Sequence, residues 1–257
     1  MHALLAQLAS VKGDTAANSA RAVAAIEAHP GVEIAVFPEL YLGGYDLPGL
    51  SDAARTVDCP ELAAIGRAAA DSSTAVVVGF AEAIGDGRVA NSLACFDRDG
   101  LLAGVYRKLQ LFDNEARVFE RGDCLRMLRL AGIDVGLLVC FDVEFPELAR
   151  ALATAGAGLL VTASANMQPY TQDHELASRA RALENHLPHL YANAVGTPNG
   201  LQLVGHSRSI DASGTVLAEA PGDDELLLVA PLGLAGVDDE RIDYLRHLPR
   251  ALHVVSD

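Results

Sequence analysis

The sequence predicts a layered α/β protein with mixed β-sheets. Short apolar and β-branched runs alternate with stretches whose apolar residues recur at helical spacing, which indicates strands and helices in turn. Asp97–Gly100 is a strong turn sequence between two such runs and predicts a β-hairpin, so the sheets cannot be purely parallel. Two sheets packed together, with helices outside them, would accommodate the number of strands.

The first half of the chain opens with a strand and a helix. Ala3–Leu8 is an apolar run that predicts a strand. Thr15–Ala28 has helical spacing, and Asp14 before it can cap the first turn; a His-Pro-Gly sequence then ends the helix. The same criteria predict a helix over Pro60–Ala70 and strands over Ile34–Phe37, Ala75–Ala81, Arg88–Phe96 and Leu101–Arg107.

The second half continues the alternation. Leu125–Leu130 and Ile133–Val139 form a second predicted hairpin across an Ala-Gly turn. Helices are expected over Phe145–Ala155 and His174–Asn185, with a strand over Leu159–Ala163 between them. Further strands are expected near Leu190–Ala194, Gln202–Val204, Ser207–Ile210, Val216–Glu219 and Leu226–Ala230. Without a linker-like segment, we expect one domain over residues 1–257, with a short and partly helical tail from about Asp238.

The composition narrows the range of partners. The net charge of −15 and a pI of about 4.8 disfavour nucleic acid and anionic membrane surfaces. No apolar run approaches the roughly 20 residues of a membrane helix, and the N-terminus lacks a basic leader, so we expect a cytoplasmic protein. The four cysteines lack CxxC spacing, which argues against a disulfide scaffold and a structural zinc site.

Three polar residues each follow an apolar run, namely Glu39, Lys108 and Cys140. Because sites in α/β folds gather at the carboxyl ends of strands, these residues could converge. A carboxylate can accept the thiol proton, and an ammonium can stabilise a thiolate and an oxyanion. Taken singly, Cys140 could be a buried core residue and Glu39 a solvated loop residue. For Lys108 a purely structural explanation is weaker. Of the 19 basic residues, 17 are arginine and only Lys12 and Lys108 are lysine, so a lysine at position 108 indicates that a compact positive charge is needed there.

The segments around these residues resemble the signature motifs of the nitrilase superfamily of carbon–nitrogen hydrolases. Phe37–Leu40, Tyr106–Phe112 and Cys140–Glu147 occur in the family order, with separations of 69 residues (39 to 108) and 32 residues (108 to 140). One motif alone would be weak, but three in register are specific. The resemblance extends over essentially the whole chain, through Thr162–Met167, Arg179–Asn185 and Tyr191–Asn193.

This resemblance implies an αββα sandwich with a catalytic triad. Glu39 would be the general base, Lys108 the oxyanion-stabilising cation and Cys140 the nucleophile. Glu115 matches a second family glutamate that positions the lysine and the substrate, although it could instead be a loop charge. The backbone N–H of Phe141, at the turn into a helix, would be a second oxyanion donor.

The residue pattern after the cysteine indicates a branch of the family. Phe141 and Asp142 stand where strict nitrilases have Trp-Glu, and the segment is similar to that of bacterial aliphatic and stereoselective amino-acid amidases. Glu144 stands where omega-amidase-like enzymes tend to have arginine. It could line the acyl pocket and favour a substrate with an amine, or it could cap the following helix. Pocket walls could also come from Asn166, Met167, Tyr170, Tyr45 and Tyr41, for which ordinary packing is an equal alternative.

We therefore predict a cofactor-free and metal-free cysteine amidohydrolase that cleaves a small carboxamide through a thioester. N-carbamoyl amine or nitrile hydrolysis on the same fold remains an alternative. A catalytically silent metabolite-binding or interaction protein is another, disfavoured by the intact set of polar residues. A nucleotide-binding module is a further alternative, but the chain has no phosphate loop. The family implies a homodimer, for which Phe145–Ala155, His174–Leu187 and the C-terminal tail are candidate interface.

Overall fold

The computed structural model describes residues 1–234 and 244–247. Most of the predicted tail from Asp238 therefore lies outside the described residues, except for a short helix at Tyr244–His247. The helices are α1 (Thr15–Glu27), α2 (Leu50–Ala53), α3 (Pro60–Ser72), α4 (Pro146–Thr154), α5 (Thr171–Asn185) and α6 (Tyr244–His247). The strands are β1 (His2–Gln7), β2 (Ile34–Val36), β3 (Ala75–Ala83), β4 (Val89–Phe96), β5 (Leu102–Arg107), β6 (Met127–Leu130), β7 (Ile133–Val139), β8 (Leu159–Ser164), β9 (His189–Asn193), β10 (Val195–Gly196), β11 (Leu203–Val204), β12 (Arg208–Ile210), β13 (Val216–Glu219) and β14 (Leu226–Pro231).

Twelve of these strands form two mixed sheets. The first sheet has the order β14-β1-β2-β3-β4-β5, and the second has the order β13-β12-β9-β8-β7-β6. In each sheet three adjacent strands are parallel, β1 to β3 in one and β7 to β9 in the other, and antiparallel strands flank them. The remaining pair, β10 and β11, forms a small antiparallel ribbon.

Alternate side chains of the inner strands bury opposite faces of each sheet. Leu5 and Val77 face the second sheet and pack in one core with Leu137, whereas Leu4 packs against α1 and α3. Leu138 points the other way from Leu137 and packs against α4 and α5. The period of two along each strand thus produces an αββα order of layers, and the predicted sandwich is confirmed.

The starts of three helices bear on the sequence predictions. The Asp14 carboxylate accepts a hydrogen bond from the backbone N–H of Ala17 at 2.9 Å, so the predicted cap of α1 is present. Helix α4 starts at Pro146, one residue later than expected. Helix α5 starts at Thr171, three residues earlier than expected, because its first turn is polar and carries no apolar pattern. His174 consequently lies inside α5 with its side chain buried.

Candidate active site

The carboxyl ends of three strands bring Glu39, Lys108 and Cys140 together. Lys108 directly follows β5, Cys140 directly follows β7, and Glu39 lies three residues beyond β2. β5 is antiparallel to β4, which is antiparallel to β3, so β5 runs in the same direction as β2 and β3 and ends at the same edge. The amine Nζ of Lys108 lies 2.6 Å from Glu39 Oε1.

Lys108 is enclosed by two carboxylates. Its Nζ lies 2.6 Å from Glu39 and 2.9 Å from Glu115 Oε2, and all three side chains are completely buried. Burial alone lowers the pKa of Lys108, but Glu39 and Glu115 outweigh it and hold that pKa well above its usual value. Burial, together with the charge of Glu39, raises the pKa of Glu115 even though Lys108 opposes this. The cluster therefore fixes one permanent positive charge between two carboxyl groups.

Each carboxylate is also held from outside the cluster. Asn91 on β4 donates from Nδ2 to Glu39 Oε1 at 2.7 Å, and the N–H of Ala165 donates to Oε2 at 3.0 Å. The hydroxyl of Tyr45 donates to Glu115 Oε1 at 2.9 Å, and the N–H of Phe112 donates to Oε2. Burial, with the charges of Glu115 and Glu39, raises the pKa of Tyr45, so its hydroxyl keeps its proton. Because both oxygens of each carboxylate accept hydrogen bonds, the two side chains are held in fixed positions. Such positioning is required of a carboxylate that accepts the proton of a thiol.

Cys140 has a backbone conformation that is uncommon for a residue with a side chain. Its φ of 44° lies in the left-handed region, at the start of a 3₁₀ turn over Cys140–Glu144. Asp142 holds this turn: it accepts hydrogen bonds from the N–H of Val139, the N–H of Gln110 and the hydroxyl of Tyr106. Burial raises the pKa of Asp142 to about 6 against these three donors. The nucleophile's turn is thus tied to β5 and to the segment that carries Lys108.

The surroundings of the Cys140 sulfur act on its ionisation in both directions. Burial, followed by the charge of Glu39, raises the pKa of the thiol, whereas the positive charge of Lys108 lowers it. A buried thiol in this setting stays protonated until a base removes the proton, and Glu39 is the carboxylate with the larger electrostatic effect on it.

One pocket collects the predicted site residues. The space between its walls, open mouth included, is about 290 Å³. Phe112 and His174, which the sequence analysis did not single out, also line it; Phe112 packs edge-on against Phe141 and Tyr170, with ring centres 5.3 and 5.4 Å apart. The predicted residues in its walls are Cys140, Glu115, Phe141, Glu144, Asn166, Met167, Tyr170 and Tyr45, while Glu39 and Lys108 lie behind them.

The structure distinguishes between the alternatives for Glu144 and Tyr41. Phe145 is the N-cap residue of α4 and no side chain bonds to that cap, so Glu144 is not the predicted helix cap. Its carboxylate lines the pocket instead, with Oε1 3.2 Å from His174 Nε2. Tyr41 is buried in the core beneath α1 and α3, which agrees with the packing interpretation. Phe141 lies in the 3₁₀ turn that leads into α4.

A second cavity lies on the other side of Tyr45. It borders Glu39 and has Lys12 and Asp46 in its wall, whereas Cys140 and Glu115 do not line it. Lys12 is the second lysine of the chain; it is largely exposed and pairs with Asp46 at 3.0 Å. Of the two lysines of the chain, therefore, Lys108 is the one that is buried in the site.

Two features are absent from the part of the chain that the structure describes. Across residues 1–234 and 244–247, no three or more His, Cys, Asp or Glu side chains are grouped so that they could hold a metal ion. Over the same residues, no helix has the length and apolar character needed to cross a membrane.

Known proteins of similar sequence and structure include amidases. The family model described as carbon–nitrogen hydrolase matches residues 3–241. An (R)-stereoselective amidase from a Pseudomonas species is 39% identical over 244 residues, which cover 93% of this chain and 88% of that protein. A mutant of the nitrilase-superfamily amidase from Nesterenkonia AN1 superposes with a TM-score of 0.85 at 28% identity, covering 96% of this chain and 94% of that one. A glutamate-to-glutamine mutant of the same amidase (TM-score 0.84, 28% identity, covering 96% of this chain and 92% of that one) shows covalent addition of the acetamide moiety of fluoroacetamide at its active site cysteine.

The fold and the buried glutamate–lysine–cysteine cluster define a cysteine hydrolase built on an αββα sandwich. The chain belongs to the carbon–nitrogen hydrolase family of the nitrilase superfamily. The predictions of family, enzyme class and a cysteine amidohydrolase that works through an acyl-enzyme are confirmed at this level.

Proposed function

We propose that this protein hydrolyses a small carboxamide to a carboxylate and ammonia, with Cys140 as nucleophile, Glu39 as general base and acid, and Lys108 as oxyanion-stabilising cation. One observation carries this proposal: a fully buried lysine ammonium lies 2.6 Å from Glu39 and 2.9 Å from Glu115, and Glu115 lines the same pocket as the Cys140 thiol. Such a set supplies the proton acceptor, the positive charge and the nucleophile that acyl transfer needs.

The reaction proceeds in two halves. Glu39 takes the thiol proton of Cys140 while the sulfur attacks the amide carbon, and the carbonyl oxygen becomes an oxyanion beside Lys108 Nζ and the N–H of Phe141. Glu39 then gives its proton to the departing nitrogen, which leaves as ammonia and a thioester remains. A water molecule, deprotonated by Glu39, attacks the thioester and releases the carboxylic acid, and the proton on Glu39 returns to the sulfur.

Glu115 and Tyr45 have supporting roles. Glu115 fixes Lys108 from the side opposite Glu39, so the ammonium cannot swing towards one carboxylate only. Tyr45 lines the pocket and bonds to Glu115, which couples the position of this carboxylate to the wall that the substrate touches.

The acyl group favoured by this pocket is small and bears an amine. The rings of Phe112, Phe141 and Tyr170 provide apolar walls, and the carboxylate of Glu144 adds a negative charge that is about 30% exposed. An ammonium on the substrate can bind this carboxylate, as in an amino-acid amide. The similarity to an (R)-stereoselective amidase agrees with a chiral acyl group of this kind.

Ammonia release from a panel of amides tests the proposal. The panel holds amino-acid amides, neutral aliphatic amides, N-carbamoyl amines and nitriles, with wild type measured beside Cys140→Ala. We expect turnover of amides, faster for the cationic ones, and loss of at least about 1000-fold in kcat without the thiol. Cys124→Ala removes an exposed thiol instead and is the matched control, expected to keep full activity.

Other outcomes of the panel identify the alternatives. Carbon dioxide released along with ammonia from N-carbamoyl amines alone indicates a carbamoylase, and turnover confined to nitriles indicates a nitrilase. Activity that persists in Cys140→Ala contradicts the nucleophile assignment. No turnover of any substrate, together with binding of an amide without hydrolysis, supports a silent metabolite-binding protein.

We also propose that the protein performs this function as a homodimer and that it is located in the cytoplasm. The outer face of α5 exposes Leu176 and Leu183, two turns apart, and Tyr244 of α6 is exposed and stacks on His186 nearby. Apolar side chains on one face support an interface through α4, α5 and the C-terminal segment. A reducing compartment keeps the Cys140 thiol free. Sedimentation equilibrium that returns a monomer at micromolar concentration contradicts the dimer.

A further inference from the structure

The acyl pocket, which Cys140 and Glu115 line, and the second cavity, which Glu39 borders, share one wall. Among the described residues that line these two spaces, Tyr45 is the one that lines both. Its side chain is buried and belongs to the same packed cluster as Met167 and Leu203, the first of which lines the pocket and the second the cavity. Its hydroxyl is held by the 2.9 Å hydrogen bond to Glu115 Oε1. The ring of Tyr45 therefore forms a fixed partition between the two spaces.

The two spaces border different members of the catalytic set. The nucleophile Cys140 lines the acyl pocket, whereas the general base Glu39 is among the residues that line the second cavity. Glu39 Oε1 bonds to Lys108, and Oε2 accepts the N–H of Ala165, which also lines the cavity. The carboxylate that exchanges protons with the substrate thus lies between the buried ammonium and the wall of the second cavity.

This placement sets the direction in which the leaving nitrogen lies. In the proposed reaction the oxyanion forms beside Lys108 and the acyl group occupies the pocket that Cys140 lines. The departing nitrogen takes its proton from Glu39, so it must come within hydrogen-bond reach of that carboxylate. An alkyl group on this nitrogen would extend away from the acyl pocket towards the second cavity, and it would meet the ring of Tyr45.

The second cavity contains the space that such an alkyl group would need. Its volume, open mouth included, is about 690 Å³, compared with about 290 Å³ for the acyl pocket. Ala194, Val195 and Leu203 give it apolar walls, and Lys12 at its edge is largely exposed, so the cavity is open to solvent. An amine could therefore leave through this cavity if the ring of Tyr45 did not close the passage from the reacting carbon.

We propose that Tyr45 determines the leaving group of the reaction. Its ring restricts the enzyme to primary amides, which release ammonia, and a smaller side chain at this position admits N-alkyl amides, whose amine leaves through the second cavity. With such a substrate the sulfur of Cys140 bonds to the carbonyl carbon, and the C–N bond breaks as the nitrogen takes the proton held by Glu39. An amine departs in place of ammonia, and water hydrolyses the same thioester as before. The inference rests on the proposed function, because it concerns the leaving group of the same reaction.

The ratio of kcat/KM between a secondary and a primary amide of the same acid measures this restriction. The pair consists of the primary amide that is turned over fastest in the panel and its N-propyl derivative, and mass spectrometry quantifies the carboxylic acid that both release. We expect Tyr45→Leu to raise the ratio of secondary to primary amide at least about 30-fold, and Tyr45→Ala to raise it further, because the ring no longer excludes the alkyl chain. Loss of the hydrogen bond to Glu115 weakens the reaction of both substrates and therefore largely cancels in the ratio.

Two control variants separate the partition from the other contacts of Tyr45. Tyr45→Phe removes the hydrogen bond to Glu115 and keeps the ring, so it should lower kcat for the primary amide but change the ratio less than about twofold. Val195→Ala enlarges the second cavity at a buried residue that lies outside the cluster around Tyr45, and it should also change the ratio less than about twofold. Thermal melts show whether each variant is folded at the temperature of the assay, and Tyr45→Leu keeps an apolar side chain in the cluster.

Several results overturn the inference. Tyr45→Leu and Tyr45→Ala that hydrolyse the primary amide without a rise in the ratio contradict it, as does a rise of similar size in Tyr45→Phe or Val195→Ala. Wild type that hydrolyses both amides equally well also contradicts it. In these cases the primary amide is still hydrolysed, so the proposed function stands. If Tyr45→Leu and Tyr45→Ala are folded and hydrolyse neither amide, Tyr45 is required for catalysis and does not select the leaving group. Wild type that hydrolyses neither amide rejects the proposed function and this inference with it.

Discussion

Glu144 is the residue at which substrate binding can be separated from the chemistry. Its carboxylate is part of the pocket wall and is partly exposed, so its attraction for a substrate ammonium is moderate. We expect Glu144→Gln to reduce the preference for cationic over neutral amides, measured as the ratio of their kcat/KM values, about fivefold to tenfold. The ratio cancels any effect on the Cys140 nucleophile that both substrates share. An unchanged ratio would remove the amine-binding role.

The sequence identified some residues of the site and missed others for a physical reason. Glu39, Lys108 and Cys140 lie in short contiguous motifs at the ends of strands, so they could be predicted from the sequence. Ser164 and Tyr191 lie within strands and resemble ordinary strand residues, and the hydrogen bond between their hydroxyls depends on which strands are neighbours and in what register. Because neither the order of the strands nor their register can be deduced from a single sequence, this hydrogen bond could not be predicted from it.

At the scale of elements, the segment after β2 approaches β3 unusually closely. A Cβ on Gly79 of β3 would lie 2.2 Å from the carbonyl oxygen of Pro38, 2.5 Å from the N of Leu40 and 2.7 Å from the Cα of Glu39. These are backbone atoms, which cannot move aside as a flexible side chain can. Glycine at this position therefore sets where the general base lies.

We expect Gly79→Ala to push the Glu39 segment away from Lys108 and to lower kcat by about 100-fold or more, since a displacement of 1 Å has such an effect. Gly104→Ala on β5 is the matched control: the atoms nearest to its Cβ would belong to the flexible side chain of Leu128, at 3.0 Å, so kcat should fall less than about threefold. Steady-state kinetics and thermal melts of both variants measure this. Equal kinetic losses in the two variants would show that general disturbance of the sheet, and not placement of Glu39, is responsible.

Element boundaries could be predicted where the signal is local in sequence, but not where they depend on the rest of the fold. The inner strands and α1 were predicted to within one or two residues, because continuous apolar runs and the Asp14 cap are local signals. The start of α5 was placed too late, since its polar first turn lacks the apolar spacing on which the prediction depended. The order of strands in the sheets, with β14 beside β1, joins the two ends of the described domain and is not encoded in any local pattern.

At the scale of the whole molecule, His189 couples the stability of the fold to pH. It lies at the start of β9 and is completely buried, with Nδ1 2.9 Å from the carbonyl of Ser178 on α5 and Nε2 2.8 Å from the hydroxyl of Thr162 on β8. Neutral imidazole satisfies both contacts, donating to the carbonyl and accepting from the hydroxyl. Burial lowers the pKa of His189 from 6.5 to about 4. The side chain thus joins the outer helical layer to the second sheet only in its uncharged form.

Between pH 6.5 and about 4 the unfolded chain binds a proton at this position and the folded chain does not. The stability that the depressed pKa contributes is therefore complete above pH 6.5 and is lost as the pH falls to about 4, a change of about 3 kcal/mol in the free energy of unfolding. We expect His189→Asn, which cannot titrate, to be less stable at pH 8 but to lose less stability on acidification, so that the two urea-unfolding curves converge towards pH 4. His2→Asn, an exposed position, is the control for loss of an imidazole. If the free energies of wild type and His189→Asn run parallel from pH 8 to pH 4, the buried imidazole is not what couples proton binding to folding, and other buried groups must account for the acid sensitivity of the molecule.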